Sequence, residues 1–160
     1  MTDRSPATTG MHSITPHIVV RDADAASNWY RQALGAVERT RLTLPNGKVM
    51  YAELHFGDSA VMVADEFPDA GILSPLAIGG TAVVLHLFTE DVDALWQRAI
   101  TAGAEVVVPL DDQFWGDRQG QLLDPFGHKW NLAKHVRDVP ENELIEAAAA
   151  AFGGDPAEDR

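Results

Sequence analysis

The sequence predicts an α+β fold built from two tandem βαβββ modules, on three observations. HIVVRDADA (17–25) is echoed by HLFTEDVDA (86–94): each has His, four residues, Asp, one residue, then Asp-Ala, at an offset of 69 residues. Each segment runs into a helical pattern that stops at Gly-Ala, Gly35-Ala36 and Gly103-Ala104, at an offset of 68. FGDSAVMVA (56–64) is matched by FGHKWNLAK (126–134), a Phe-Gly turn opening a strand. Landmarks repeated in the same order argue for a duplicated module more strongly than either echo alone.

Taken along the chain, SITPHIVV reads as a strand, and Asp22 or Asp24 caps a helix over AASNWYRQAL, with Trp29, Ala33 and Leu34 on one face and Gly35 as the stop. VERTRLTL and KVMYAELHF form a hairpin across Pro45-Asn46-Gly47, a strong turn signal, and SAVMVAD is the last strand of the module. In the second half the same order is AVVLHLF, the helix DVDALWQRAITAG with Trp96 on its core face, then AEVVVPL, RQGQLLD and HKWNLAKH. The Pro- and Gly-rich stretch EFPDAGILSPLAIGGT joins the halves, and PENELIEAAAAAFGG reads as an outer, alanine-rich helix ended by glycines. The expected division is a flexible leader over 1–12, one domain over 13–138 and a C-terminal helix and tail over 139–160. Within the domain, module one covers about 13–66, the linker about 67–80 and module two about 81–138. Met1 and Met11 both stand as possible starts. Half a chain of this size buries too little apolar surface to fold alone, so the modules are expected to pack together.

Composition excludes several classes. A chain of 160 residues, 46% hydrophobic and 22% charged, fits one globular domain. Twelve Lys plus Arg stand against 24 Asp plus Glu, a formal charge of -12 that repels phosphate backbones and anionic membranes, so no nucleic-acid or membrane partner is expected. There is no cysteine, hence no disulfide, thiolate nucleophile or thiolate metal site. No apolar run approaches the roughly 20 residues that span a bilayer, and MTDRSPATTGMHS has no apolar signal core, so a cytoplasmic location is expected.

The βαβββ duplication closing on DQFWGDRQGQLLDPFGHKWNLAKH (112–135) resembles the vicinal oxygen chelate superfamily, which includes glyoxalase I, bleomycin-resistance proteins and extradiol dioxygenases. Phe-Trp-Gly-Asp-Arg together with Asp-Pro-Phe-Gly-His is most similar to its PhnB-like branch, over about residues 13–138. The resemblance implies a glyoxalase-like curved mixed sheet with helices outside, a small-molecule site in its concave face, and a homodimer. It implies no single reaction, since superfamily members share a fold and not a chemistry. The superfamily's enzymes hold a divalent metal on four residues, one from the first and one from the last strand of each module, typically two His and two Glu. Those positions fall here on Thr15, Val61 or Val63, Val84 and Asn131, so no cofactor is expected. Losing a carboxylate removes several kcal/mol of attraction even at an effective dielectric of about 20.

His17 and His86 lie two residues beyond the vacated positions and, being at i+2 on a strand, should look into the same cavity. In VMYAELHF, Met50, Ala52, Leu54 and Phe56 are expected to face the helix, leaving Tyr51, Glu53 and His55 opposite. His17, Glu53 and His86 would form a displaced divalent-metal site or, as the expected reading, hydrogen-bonding groups of a metal-free polar pocket. In that second case Asn131 supplies a donor and an acceptor, and Val63, Val84 and Phe88 supply apolar walls. Trp115 is either a ligand-stacking lid or packing for the hairpin and dimer seam. Arg118 grips an anionic substrate or pairs locally with an Asp. His128 is expected to be structural, and His12 and His135 solvated. Three functions remain open: a metal-independent binding protein for a small organic molecule, which the missing ligands favour; a metal-dependent lyase, isomerase or dioxygenase using the displaced site; and a metal-free acid/base enzyme using His17 or His86.

Overall fold

A computed structural model of the chain describes residues 10–153, so residues 1–9 of the expected leader and 154–160 of the tail lie outside the described residues. The elements follow the duplicated order: β1 (His17–Val20), α1 (Ala23–Leu34), β2 (Val37–Thr43), β3 (Val49–Phe56) and β4 (Ser59–Asp65). After a 3-10 turn (Pro68–Ala70) and the short α2 (Pro75–Ile78) come β5 (Val84–Phe88), α3 (Val92–Thr101), β6 (Glu105–Asp112), β7 (Asp117–Leu123) and β8 (Lys129–His135). The outer helix α4 (Glu141–Phe152) ends the described chain. The strands make two four-stranded sheets, ordered β1-β4-β3-β2 and β5-β8-β7-β6. In each, the first strand pairs parallel with the last while the hairpins pair antiparallel.

Local chemistry starts the helix of each module, and stops the first at the expected glycine, while α3 ends one residue earlier than expected, at Ala102 and not Gly103. Asp22 caps α1 by accepting from Ala25 N, Asp91 caps α3 by accepting from Ala94 N, and Gly35 ends α1 with φ 72°. The buried face of α1 is Ala23, Ala26, Ser27, Tyr30, Ala33 and Leu34, so Tyr30 is its fully buried aromatic, with Trp29 partly buried against the same core. Trp29 crosses to the second module, its indole N–H donating to Ala102 O at 2.8 Å. Arg98 answers from α3 by donating to the carbonyls of Gln32 and Arg31.

The two modules therefore share one core. Tyr30 packs between Phe56, Phe126 and Trp130, with ring centroids 6.2, 6.0 and 5.4 Å away. Its hub is the carboxylate of Asp124, only 3% exposed. Asp124 Oδ2 accepts from Tyr30 Oη at 2.5 Å and Trp130 Nε1 at 2.9 Å, while Oδ1 accepts from the backbone of Phe126 and His128. Burial first, and then the neighbouring Asp124 charge, hold the Tyr30 hydroxyl protonated well above its ordinary range. His128 fixes the same seam, its Nε2 bonding Val19 O at 2.9 Å, which matches the structural role expected of it. In module one Asp65 does the equivalent local work, accepting from Ala23 N and Val49 N.

One sheet register departs from expectation. Ala52, Leu54 and Phe56 are buried as predicted, but Met50 is 51% exposed and Val49, 2% exposed, takes the inward place. The β2–β3 register shifts between Leu42 and Thr43, which breaks the alternation at the start of β3. No helix among the described residues is long and apolar enough to cross a membrane.

Candidate functional site

Because paired strand residues share a face, the register sorts side chains into a helix-covered face and an open one. In the first sheet, Val63 pairs with Ala52 and Val61 with Leu54, and all four are buried on the helix side. Val63 is fully buried and cannot form a cavity wall, contrary to the expectation that it lines one. The open-face residue of β4 is Met62, in register with both His17 and Glu53. In the second sheet, Leu85, Trp130 and Leu122 line up on the helix side, and His86, Asn131 and Gln121 on the open side.

His86, Asn131 and Gln121 form a hydrogen-bonded row across three adjacent strands. Gln121 Nε2 donates to Asn131 Oδ1 at 3.0 Å, and Asn131 Nδ2 donates to His86 Nδ1 at 3.3 Å. With these amide orientations Nδ1 is an acceptor, so the neutral ring carries its proton on Nε2, a donor that no hydrogen bond among the described residues engages. Phe88 tilts against the His86 ring with centroids 4.5 Å apart. His86 and Phe88 line a cavity of about 490 Å³ between the modules, whose other walls include Ile14, Phe56, Val84 and Trp130. A few polar groups convergent on an apolar, concave space is the usual build of a small-molecule site.

The remaining expected site residues lie elsewhere. His17 is exposed on the open face of β1 and does not line the cavity that holds His86. Tyr51 is half-buried beside Leu42 on the open face of the first sheet. Glu53 is engaged by His55, with Oε1 at 2.5 Å from Nε2. Trp115 packs edge-on against Phe114 in the β6–β7 hairpin. Arg118 turns to the start of α3, where its guanidinium binds Asp93 in a two-pronged contact and also Asp112. These partners keep Arg118 charged, and the hydrogen bond to it holds Asp93 below the ordinary carboxylate range. His135, expected to be solvated, is half-exposed but clamped by Asp117 and Asp138, each at 2.8 Å, and these hydrogen bonds raise its pKa.

Sequence reasoning missed two residues here: Gln121, which extends the His86 row without lining the cavity, and His12, which does line it. Gln121 alternates with Gln119 in RQGQLL, a period-two signal that places both on one face. His12 borders the cavity, its Nε2 at 3.1 Å from Asp58 O, and nothing in the leader's composition marks it out.

The superfamily's metal set does not fit these residues. Thr15 donates its hydroxyl to His12 O, Val61 and Val63 face the core, Val84 is a hydrocarbon, and Asn131 is a neutral amide committed to the row. Among the described residues no cluster of three or more His, Cys, Asp or Glu side chains is placed to hold a metal ion.

Comparison with known proteins agrees with this architecture. The profile of the Glyoxalase/Bleomycin resistance protein/Dioxygenase superfamily matches residues 10–132. An uncharacterized protein of Mycobacterium bovis is 44% identical over 144 residues, covering 88% of this chain and 94% of that one. The crystal structure of TioX from a Micromonospora species superposes with a TM-score of 0.62 at 28% identity, over 78% of this chain and 99% of its own. The PhnB protein of Bacillus cereus, at 17% identity and a TM-score of 0.58 over 77% of this chain and 99% of its own, shares the fold.

Proposed function

The chain belongs to the Glyoxalase/Bleomycin resistance protein/Dioxygenase superfamily, and from that premise we propose that it binds a small organic molecule in the cavity between its modules without the superfamily's metal. The ligand is largely apolar, carries one or two hydrogen-bonding groups, and is met in the cytoplasm. The observation that supports this reading is the Gln121–Asn131–His86 row, which holds one imidazole at the edge of a cavity whose other walls include Phe88, Val84 and Trp130. Such a site orients a ligand by a single polar contact and gains its affinity from apolar burial.

The test is a thermal-shift screen of aromatic and heterocyclic compounds followed by calorimetry. In a hit that hydrogen-bonds His86, His86→Ala should weaken binding by about 1–3 kcal/mol, because the ligand's polar atom is left buried without a partner. Substituting His128, which is committed to Val19 O, should leave affinity within about 0.5 kcal/mol in protein that remains folded. Equal affinity of wild type and His86→Ala across all hits would exclude the row from the site.

Metal content separates this reading from a lyase, isomerase or dioxygenase built on His17, Glu53 and His86. Protein purified without added metal should carry well under one divalent ion per chain by elemental analysis. Stoichiometric zinc, nickel or iron that disappears in His17→Ala or His86→Ala would restore the enzyme reading.

The same open faces support a homodimer. Val37, Leu42, Val84, Phe88 and Val108 lie on them at 53%, 45%, 37%, 62% and 46% exposure in the single chain. Apolar side chains gathered on sheet faces mark an interaction surface, and a stable seam would cover roughly 2,000 Å². Light scattering should return twice the 17.3 kDa chain mass at micromolar concentration. A single-chain mass would count against it.

A further inference from the structure

A second pocket, of about 770 Å³, lies beneath residues 10–12 on the open face of the first sheet. Glu53 and His55 line it from alternate positions of β3, and their side chains are only 13% and 16% exposed. The ionised carboxylate can only accept, so His55 Nε2 donates to Glu53 Oε1 across 2.5 Å and the proton of the neutral ring resides there. Nδ1 is left as an acceptor, and among the described residues no hydrogen bond engages it. An imidazole oriented by a carboxylate, with its other nitrogen open to a pocket, has the arrangement of a general base.

The same pocket supplies what the conjugate base of a weak acid needs. Arg39 lines it and forms no ion pair among the described residues, and the neighbouring Thr40 sits in register with Glu53 and carries a hydroxyl donor. A cation and a donor beside a base can receive an oxyanion as it forms. The other titratable groups on the pocket are tied to the β3–β4 hairpin. His12 bonds Asp58 O at 3.1 Å, and Asp58 Oδ1 accepts from Ser59 Oγ at 3.0 Å.

We propose that Glu53 and His55 form an acid/base dyad that accepts, at His55 Nδ1, the hydroxyl proton of a phenol- or enol-class ligand. The ligand's O–H bond breaks as Nδ1–H forms, no other bond changes and no electrons are transferred. The resulting imidazolium is held between Glu53 and the new oxyanion. This pocket touches the cavity between the modules only at His12, Gly57 and Asp58, so the dyad does not depend on the His86 row.

The experiment uses p-nitrophenol, whose ionisation is read from its phenolate absorption band. At a pH slightly below the midpoint of the free phenol, adding the protein should raise the phenolate band. His55→Asn should abolish that rise, Glu53→Gln should diminish it several-fold, and substituting His135, an imidazole tied to Asp117 and Asp138 outside both cavities, should leave it unchanged. Nitrogen NMR of the imidazoles in the unmutated protein gives a readout that needs no variant to fold: His55 Nδ1 should move to its protonated position as p-nitrophenol is added. A band that rises equally in wild type and His55→Asn overturns the proposal, as does one lost on substituting His135. So does an Nδ1 signal that stays unprotonated, or the absence of any binding by equilibrium dialysis at millimolar p-nitrophenol.

Discussion

Asp124→Ala is expected to lose about 4 kcal/mol or more of folding stability, the upper end of what single substitutions cost. The carboxylate accepts four hydrogen bonds, from Tyr30 Oη, Trp130 Nε1 and the backbone N–H groups of Phe126 and His128. Bonds to a charged group contribute roughly 1.5–3 kcal/mol each, and a donor left buried without a partner costs its full desolvation. Tyr30 comes from the first module and the other three groups from the second, so the loss falls on the joint and not on one half. Asp124→Asn should cost less. Its oxygen still receives two donors and the Tyr30 hydroxyl can turn to accept from the new amide, but Trp130 Nε1 is a donor only and meets another donor. Urea denaturation checks both variants; a loss under about 1 kcal/mol for Asp124→Ala would falsify the hub.

Gly116→Ala should be nearly as damaging, at about 2–4 kcal/mol. Gly116 has φ 98°, a conformation that residues with a Cβ rarely adopt, and that Cβ would stand 2.1 Å from Arg137 O. Its carbonyl also accepts from Val136 N and Arg137 N, so the hairpin tip cannot retreat without losing the segment that leads to α4. Thermal unfolding of Gly116→Ala within a degree or two of wild type would show that this approach is slack.

Much of the architecture was legible because it is local or repeated. The Asp22 and Asp91 caps, the Gly35 stop and the span of β4 all rest on signals within a few residues. What failed was the choice of face. The repeat fixes how far along a strand a residue lies, but a one-residue slip turns it to the other side, and so Val63 was read as a cavity wall when it is core. On α1 the reading found Ala33 and Leu34 but left out Tyr30, the fully buried aromatic of the stripe that Trp29 flanks. The His86–Asn131 contact depends on a parallel pairing between β5 and β8, which no short motif encodes. Glu53 and His55 stood two apart in plain view, yet their contact rests on rotamers that sequence does not specify. The 112–135 stretch proves to be chiefly joint and hairpin, through Asp124, His128, Gly116 and Arg118; Trp130 is its cavity wall, and Gln121 and Asn131 reach the cavity only through their row to His86.

The parallel pairs also set how the chain must fold. His17 meets Met62 and Val84 meets Lys129, the same 45-residue separation in each half. Closing a loop of that length costs about 3 kcal/mol of chain entropy before its contacts return anything, which places both halves among slow-folding topologies. Because the halves are copies, each nascent first strand finds two closing strands of the right shape, its own and its twin's. Mispaired intermediates are thus a built-in kinetic hazard of the duplication. The Tyr30–Asp124 bond spans the two halves, so it belongs to the docked pair and to neither half alone.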